Sequence, residues 1–165
     1  MKLVLKKKKK SLPVKKEKED KGKYTDLRQV MDYKRDLSIF FPGVENKTYL
    51  EGCYDMGVRN FLMSYHYIKG RSLKQVLDGK EGIKLFIDSG AYTYTIDSDF
   101  KDKSIEEWEE HIVKYLKWAE KNREYIFAIA GLDIEFLVGC EKVQECNRKY
   151  FEPFMLRTGV PVCFV

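Results

Sequence analysis

Short apolar runs alternate with segments of mixed polarity along most of the chain. Each run is bounded by turn-forming or charged residues, which is typical of a buried strand. The predicted strands occupy residues 39–41, 59–68, 85–87, 125–132 and 160–165. Strands that alternate with helices in short cycles indicate an α/β fold with a parallel sheet and right-handed crossovers.

Helix signals lie between these strands. A polar helix is predicted over 25–35, and the pattern Ser/Thr-x-x-Glu at Thr48 and Ser104 predicts a capping box that opens a helix at each site. Ser72 is predicted to cap a short helix, and Gly159 to end the last one. The helix after Ser104 has the clearest pattern, because apolar residues recur there at helical spacing.

Length and composition favour a single globular domain. The chain has 165 residues, of which 44% are hydrophobic, and no apolar run reaches the roughly 18 residues that a membrane span needs. No hydrophobic signal-peptide core follows the N-terminal lysines. We therefore expect a cytoplasmic protein that does not associate with a membrane.

Charge divides the chain into two parts. Residues 1–23 hold eleven lysines against three acids, so this segment carries a net charge of +8 and the rest carries −3. Because the segment has no aromatic residue, we expect a disordered Lys-rich tail over 1–23 and a folded domain over 24–165. The tail could tether nucleic acid through its phosphates, or it could be a solvated tail without a partner. The tether residues would be Lys6, Lys7, Lys8, Lys9 and Lys10.

Polar side chains follow several predicted strands. Glu45, Asp88 and Asp133 come after the first, third and fourth strands. Ser64 and His66 lie near the end of the second strand, although a packed histidine is the commoner role for His66. Since the carboxyl ends of parallel strands meet at one edge of a sheet, we expect these side chains on one face of the domain.

The residues that follow the third predicted strand combine the functional groups best suited to a binding or catalytic site. Asp88 supplies a carboxylate, Ser89 a hydroxyl, and Gly90 lacks the Cβ that would keep a second backbone or a planar ligand away. The same three residues could equally form a local turn whose side chains cap the next loop.

Several chemistries fit carboxylates that share one face. They could work as general acid and base, or they could accept hydrogen bonds from the N–H and NH2 groups of a purine-like base. A metal site is not expected, because no strand end contributes a close pair of carboxylates. No glycine-rich phosphate-binding motif occurs either.

The remaining candidate ligands are interpreted as structural. Four cysteines show no metal-ligand spacing and are predicted to be buried, reduced thiols. They are Cys53, Cys140, Cys146 and Cys163. His111, within the helix after Ser104, is predicted to be an ordinary surface residue.

Two short motifs resemble a known family. DSGAYT at 88–93 resembles the DSGGFQ motif of the tRNA-guanine transglycosylase (queuine tRNA-ribosyltransferase) superfamily, and GLDIE at 131–135 resembles its FDE segment. A phage and bacterial branch, associated in part with 7-deazaguanine insertion into DNA, also has an Asn on the next helix and then Gly-x-Pro-Val. Asn147 and residues 159–162 match that pattern. The resemblance covers residues 40–165 and implies a nucleic-acid-modifying glycosyltransferase.

The resemblance implies a role for the two motif acids. Asp88 would be catalytic, because it would contact the exchanged base and assist proton transfer. Asp133 would read the edge of the guanine or 7-deazaguanine ring. The family reaction is base exchange at C1′ of a ribose or deoxyribose through a covalent glycosyl-enzyme, and it implies no cofactor.

Further residues would complete the substrate-binding set. The wall beside the base would be formed by Ser89, Gly90 and Ala91, and Tyr92 could stack on the ring. Glu45 and His66 would contribute from neighbouring strand ends.

The family fold is an eight-stranded (β/α) barrel. With about five strands and four to five helices predicted, this chain would be a partial TIM barrel. The nucleophilic aspartate of the family, and its zinc site of three cysteines and one histidine, lie in the part that this chain lacks. Either a second polypeptide or a homo-oligomer would complete the barrel and supply the nucleophile, or the chain would be a truncated remnant. The partner nucleic acid would be tRNA or DNA.

Two other functions fit the residues. The chain could be a non-catalytic nucleic-acid-associated module, with the Lys-rich tail as its tether and a vestigial base pocket. It could also be another barrel enzyme with paired acids, such as a glycoside hydrolase.

Overall fold

A four-stranded parallel sheet forms the centre of the fold. The computed structural model describes residues 38–96 and 104–164. Within these residues the sheet has the order β1-β2-β3-β4 and does not close on itself. Its strands are β1 Asn60–Ser64, β2 Lys84–Asp88, β3 Ile126–Ala130 and β4 Val162–Cys163. Each strand pairs in parallel with the next along the chain, so the predicted α/β fold with a parallel sheet is confirmed.

The predicted count of five strands is wrong, because the first apolar run forms only one bridge. Phe41 pairs with Phe61; its N–H donates to the Asn60 carbonyl at 3.0 Å, and its carbonyl accepts from the Leu62 N–H at 2.8 Å. Gly43 is the next residue whose backbone could continue this ladder, but its φ of +77° turns the chain away. We call residues 38–41 the edge segment.

Helices precede β1 and connect consecutive strands, and the described residues hold more of them than the four to five that the sequence predicts. They are α1 Lys47–Asp55, α2 Tyr65–Ile68, α3 Leu73–Leu77, α4 Ala91–Ile96, α5 Ile105–Lys121, α6 Glu135–Val138, α7 Cys140–Cys146 and α8 Glu152–Thr158. A 3-10 turn precedes β3, and a π-helical turn at Asn147–Phe151 joins α7 to α8. Gly159 ends α8 with a φ of +73°, as predicted. The Lys-rich tail over 1–23, with Lys6 to Lys10, and the predicted helix over 25–35 lie outside the described residues.

Two predicted boundaries near β1 are wrong. The run at 59–68 is a strand only as far as Ser64, and Tyr65–Ile68 is helical, which lets Tyr65 and Ile68 both face the core three residues apart. Helix α1 is capped by Asn46, whose side chain accepts from the Tyr49 N–H at 3.2 Å. The predicted capping box at Thr48 therefore does not form.

The capping box at Ser104 is confirmed. The Ser104 Oγ accepts from the Glu107 N–H at 3.3 Å, and the Glu107 carboxylate accepts from the Ser104 N–H at 2.9 Å. Ser72 occupies the N-cap of α3, but its side chain makes no capping hydrogen bond.

This difference between two serines in the same position of a helix gives a first prediction. Ser104→Ala should lower the free energy of unfolding by about 1 kcal/mol, because it leaves the first-turn N–H groups without their acceptor. Ser72→Ala should change it by only a few tenths of a kcal/mol, roughly as for a surface substitution. Urea unfolding of both variants measures the two values, and equal losses would contradict the assignment.

The long helix α5 packs its apolar stripe against the sheet. Trp108, Ile112, Leu116 and Ala119 are all buried, with at most 7% of each residue exposed. Their spacing places them on one side of the helix, as the sequence pattern indicated.

The four cysteines do not share one environment. All are free thiols, but only Cys53 and Cys146 are buried. Cys140 begins α7 and Cys163 lies on the outermost strand, and both are exposed, so the prediction of burial is wrong for these two. A side chain at the start of a helix or on an edge strand has fewer neighbours to cover it, which accounts for the exposure of both cysteines.

The other face of the sheet carries aromatic side chains and Asp88. Leu85 and Ile87 of β2 are fully buried, whereas Phe86 and Asp88, which alternate with them, are partly exposed. Phe40 of the edge segment covers part of this second face, with its ring centroid 5.7 Å from that of Phe86. Asp88 therefore stands at the carboxyl end of a partly covered apolar surface.

Candidate functional site

The predicted site acids follow neighbouring strands at one edge of the sheet. Glu45 comes after the edge segment, Asp88 ends β2, and Asp133 lies three residues beyond the end of β3. Because all pairings are parallel, the carboxyl ends of these strands meet at the same edge. Glu45 and Asp88 are partly buried, whereas Asp133 is exposed.

A tight turn holds the Asp88 carboxylate at the end of β2. Its Oδ2 accepts a hydrogen bond from the Gly90 N–H at 3.1 Å. The Ser89 hydroxyl forms the next local bond, accepting from the Ala91 N–H at 3.2 Å. The side-chain-capped turn that the sequence allowed therefore forms here. An ionised carboxylate has about four lone-pair sites, so Asp88 keeps acceptor capacity for a ligand.

Position 90 must be a glycine, because the loop after β2 packs too closely against the end of β1 to leave room for a side chain. Its φ is +77°, and a Cβ at this position would lie 2.7 Å from the Cβ of His66 and 3.0 Å from the His66 nitrogen. The same Cβ would lie 3.2 Å from the Ser64 hydroxyl oxygen. The loop after β2 thus rests directly on the end of β1. Ser89 and Ala91, each 1% exposed, are buried on either side of Gly90.

A hydrogen bond joins the Glu45 side chain to the end of β1. Its Oε1 accepts from the Ser64 N–H at 2.7 Å. On this edge of β1 the Leu62 N–H is bonded to the edge segment, and Ser64 carries the next N–H that points the same way. The Glu45 side chain therefore replaces the strand partner where the edge segment has turned away.

The other residues of the predicted site are not all brought to the same place. His66 is partly exposed and lies in α2, with its ring 4.9 Å from that of Tyr67. Tyr92 is 73% exposed at the start of α4, where an aromatic ring is available to solvent. Glu45, His66, Asp88 and Gly90 are brought together around the end of β1, whereas no described contact joins Asp133 to this group.

Tyr115 was not singled out by sequence reasoning, yet it supports the site. Its hydroxyl donates to the Ile87 carbonyl at 2.9 Å and lies 3.2 Å from the Ala130 carbonyl, so it bridges the ends of β2 and β3. Burial raises the pKa of the Tyr115 hydroxyl well above its ordinary value, and the negative charge of Asp88 raises it further. The hydroxyl consequently stays protonated and continues to donate.

The prediction that His111 is an ordinary surface residue is wrong. His111 is only 9% exposed, and its Nε2 lies 3.4 Å from the Ser89 carbonyl oxygen. Its ring also packs edge-on against Trp108. The signal was available, because His111 and Tyr115 both fall on the apolar stripe of α5 that begins at Trp108.

Asn147, a residue of the family resemblance, lies away from the acids. It opens the π-helical turn, and its side-chain oxygen is buried without a hydrogen-bond partner among the described residues. It borders a cleft of about 230 Å³ that Asp88 and Asp133 do not line. The cleft is lined by Gln144, Asn147, Arg148, Glu152 and Phe164.

Residues 38–96 and 104–164 hold neither a cluster of metal ligands nor a helix that could span a membrane. Within these ranges no group of three or more His, Cys, Asp and Glu side chains could hold a metal ion. Helices in the same ranges are all too short or too polar to cross a membrane.

The chain was also compared with known proteins. Comparisons with models of protein families, with curated proteins and with solved structures found no match.

Proposed function

We propose that this chain is part of a (β/α) barrel that binds guanine or 7-deazaguanine and takes part in exchange of that base in tRNA or DNA. The proposal rests on the motif resemblance and on the position of Asp88. A second polypeptide or a second copy of the chain would complete the barrel and supply the nucleophile.

The strand order supports a barrel. In doubly wound sheets the strand order reverses at a switch point, whereas barrel strands follow one another in chain order. The order here is β1-β2-β3-β4 without reversal. Among the described residues, the outer edge of β1 is met by one bridge from Phe41 and by the Glu45 side chain, and β4 has no strand on its outer side. Further strands could pair at both edges.

The observation that carries the proposal is the setting of the Asp88 carboxylate. It is partly exposed at the carboxyl end of β2, it is oriented by the Gly90 N–H, and it shares a sheet face with the aromatic ring of Phe86. A planar base needs an apolar surface to lie on and an acceptor for its N–H groups. Both are present within one strand.

The chemistry would divide between Asp88 and the nucleophile. A carboxylate of the completing chain attacks C1′, the C1′–N9 bond breaks, and its electron pair leaves with the base. A proton taken up from solvent passes through the Asp88 carboxyl group to that base. The incoming base then attacks C1′ and displaces the carboxylate, and its N–H proton returns to Asp88.

Base binding can be tested with the chain alone, by thermal unfolding in the presence of guanine or 7-deazaguanine. A ligand that binds only the folded state should stabilise it by about 2.7 kcal/mol at one hundred times its dissociation constant. Asp88→Asn should abolish this shift, because the amide replaces a charged acceptor with a neutral group. Asp78→Asn is the matched control, since Asp78 is exposed and asparagine tolerates its left-handed backbone.

Two outcomes would contradict the proposal. One is a base-dependent shift that survives Asp88→Asn, and the other is a cooperative transition that no base moves. The second outcome would favour the non-catalytic module, in which deletion of residues 2–23 should remove all affinity for nucleic acid.

A further inference from the structure

The acids at the carboxyl edge stand in a row along the sheet. Asp133 follows β3, Asp88 ends β2, and Glu45 is bonded to the end of β1. Asp88 therefore lies between the other two acids in the order of the strands. This order gives the site two sides, one toward Asp133 and one toward Glu45.

The Glu45 side contains a buried hydroxyl that lacks a partner. Ser64 is 9% exposed, and its Oγ has no hydrogen-bond partner among the described residues. Ser64 is also the register partner of Asp88, so the two side chains stand next to each other on one face. Because a buried polar group without a partner is costly, such a group calls for an explanation, and a ligand that bonds to it is one.

Ser64 is also enclosed by the two acid-bearing segments. Its N–H donates to Glu45 Oε1 at 2.7 Å, and its Oγ faces Gly90, whose own N–H donates to Asp88 Oδ2 at 3.1 Å. The Glu45 carboxylate uses one oxygen in this bond and has lone pairs left for other donors. A hydroxyl and two carboxylates thus converge at the end of β1.

We propose that Glu45 and Ser64 bind the sugar of the nucleoside and favour ribose over deoxyribose. This inference rests on the proposed function. If Asp133 reads the base edge and Asp88 acts at the glycosidic bond, the sugar lies beyond Asp88, on the side of Glu45. A carboxylate accepts hydrogen bonds from sugar hydroxyls, and ribose offers a vicinal pair where deoxyribose offers one.

The test compares guanine, guanosine and 2′-deoxyguanosine as ligands of the full chain in calorimetric titrations. The wild-type chain should bind guanosine about tenfold more tightly than 2′-deoxyguanosine, since one hydrogen bond to a charged group has about that effect. Glu45→Gln should remove this preference while leaving guanine affinity within about twofold. Its amide oxygen can still accept from the Ser64 N–H, so the fold should persist.

Two further variants make the result specific. Ser64→Ala should weaken guanosine binding without affecting guanine, which a merely structural role would not do. Glu141→Gln removes an exposed acid on α7 and should change none of the three affinities.

Failure of this inference can be told from failure of the proposed function. If the wild-type chain binds guanine but shows no preference between the two nucleosides, Glu45 and Ser64 are not a ribose site. Equal weakening of guanine and guanosine by Glu45→Gln has the same meaning. If the chain binds none of the three ligands, the proposed function falls and this inference falls with it.

Discussion

Gly90→Ala is expected to lower the free energy of unfolding by about 3 kcal/mol, because backbone strain and overpacking add. The backbone at Gly90 has a φ of +77°, which side chains rarely adopt. The added methyl group would also lie 2.7 Å from the Cβ of His66 and 3.0 Å from the His66 backbone nitrogen. A backbone nitrogen within a packed element cannot move aside as a flexible side chain can. Urea unfolding at equilibrium measures this loss.

Gly79→Ala separates the two causes. Gly79 has the same φ of +77°, but a Cβ there would meet nothing within 4 Å. This variant should therefore lose only the cost of strain, about 1 kcal/mol. Equal losses at Gly79 and Gly90 would mean that the loop after β2 does not rest on β1 as closely as described.

Phe151→Ala is expected to cost about 4 kcal/mol, the usual range for removing a fully buried aromatic ring. Phe151 is 0% exposed. Its ring centroid lies 6.5 Å from that of Tyr115 and 6.2 Å from that of Phe164. Removing it would leave a cavity between α5, the π-helical turn and the chain after β4. Chemical denaturation of the purified variant measures the cost.

Phe164→Ala is the matched control for this cavity. Phe164 belongs to the same aromatic contact but is 41% exposed. Its removal should cost less than about 2 kcal/mol, because less apolar area returns to water and no closed cavity forms. If Phe151→Ala and Phe164→Ala lower the free energy of unfolding equally, Phe151 is not the buried centre of this aromatic contact.

Local signals predicted the parts of the fold that depend on neighbouring residues. The capping box at Ser104 joins atoms three residues apart, and the stripe from Trp108 to Ala119 repeats at helical spacing, so both were predictable from the sequence. The end of β2 at Asp88 was predictable for the same reason, since the apolar run stops there.

Contacts between distant segments decided the rest of the fold. The run at 59–68 has strand-like composition throughout, but Tyr65–Ile68 is helical and α4 formed where no pattern indicated a helix. His111 is a polar residue and was expected at the surface, but it is buried because α5 turns its side chain toward Ser89. Tertiary contacts override weak local preferences in such short elements.

The candidate site shows the same division. By itself the sequence determined that acids follow the strands and allowed a turn after Asp88, because both depend on residues adjacent in the chain. Only the tertiary structure decided that the Glu45 side chain bonds the Ser64 N–H, 19 residues away, and that Gly90 packs against His66. These contacts join separate β/α units, and their geometry depends on the register of parallel strands, which no single segment encodes.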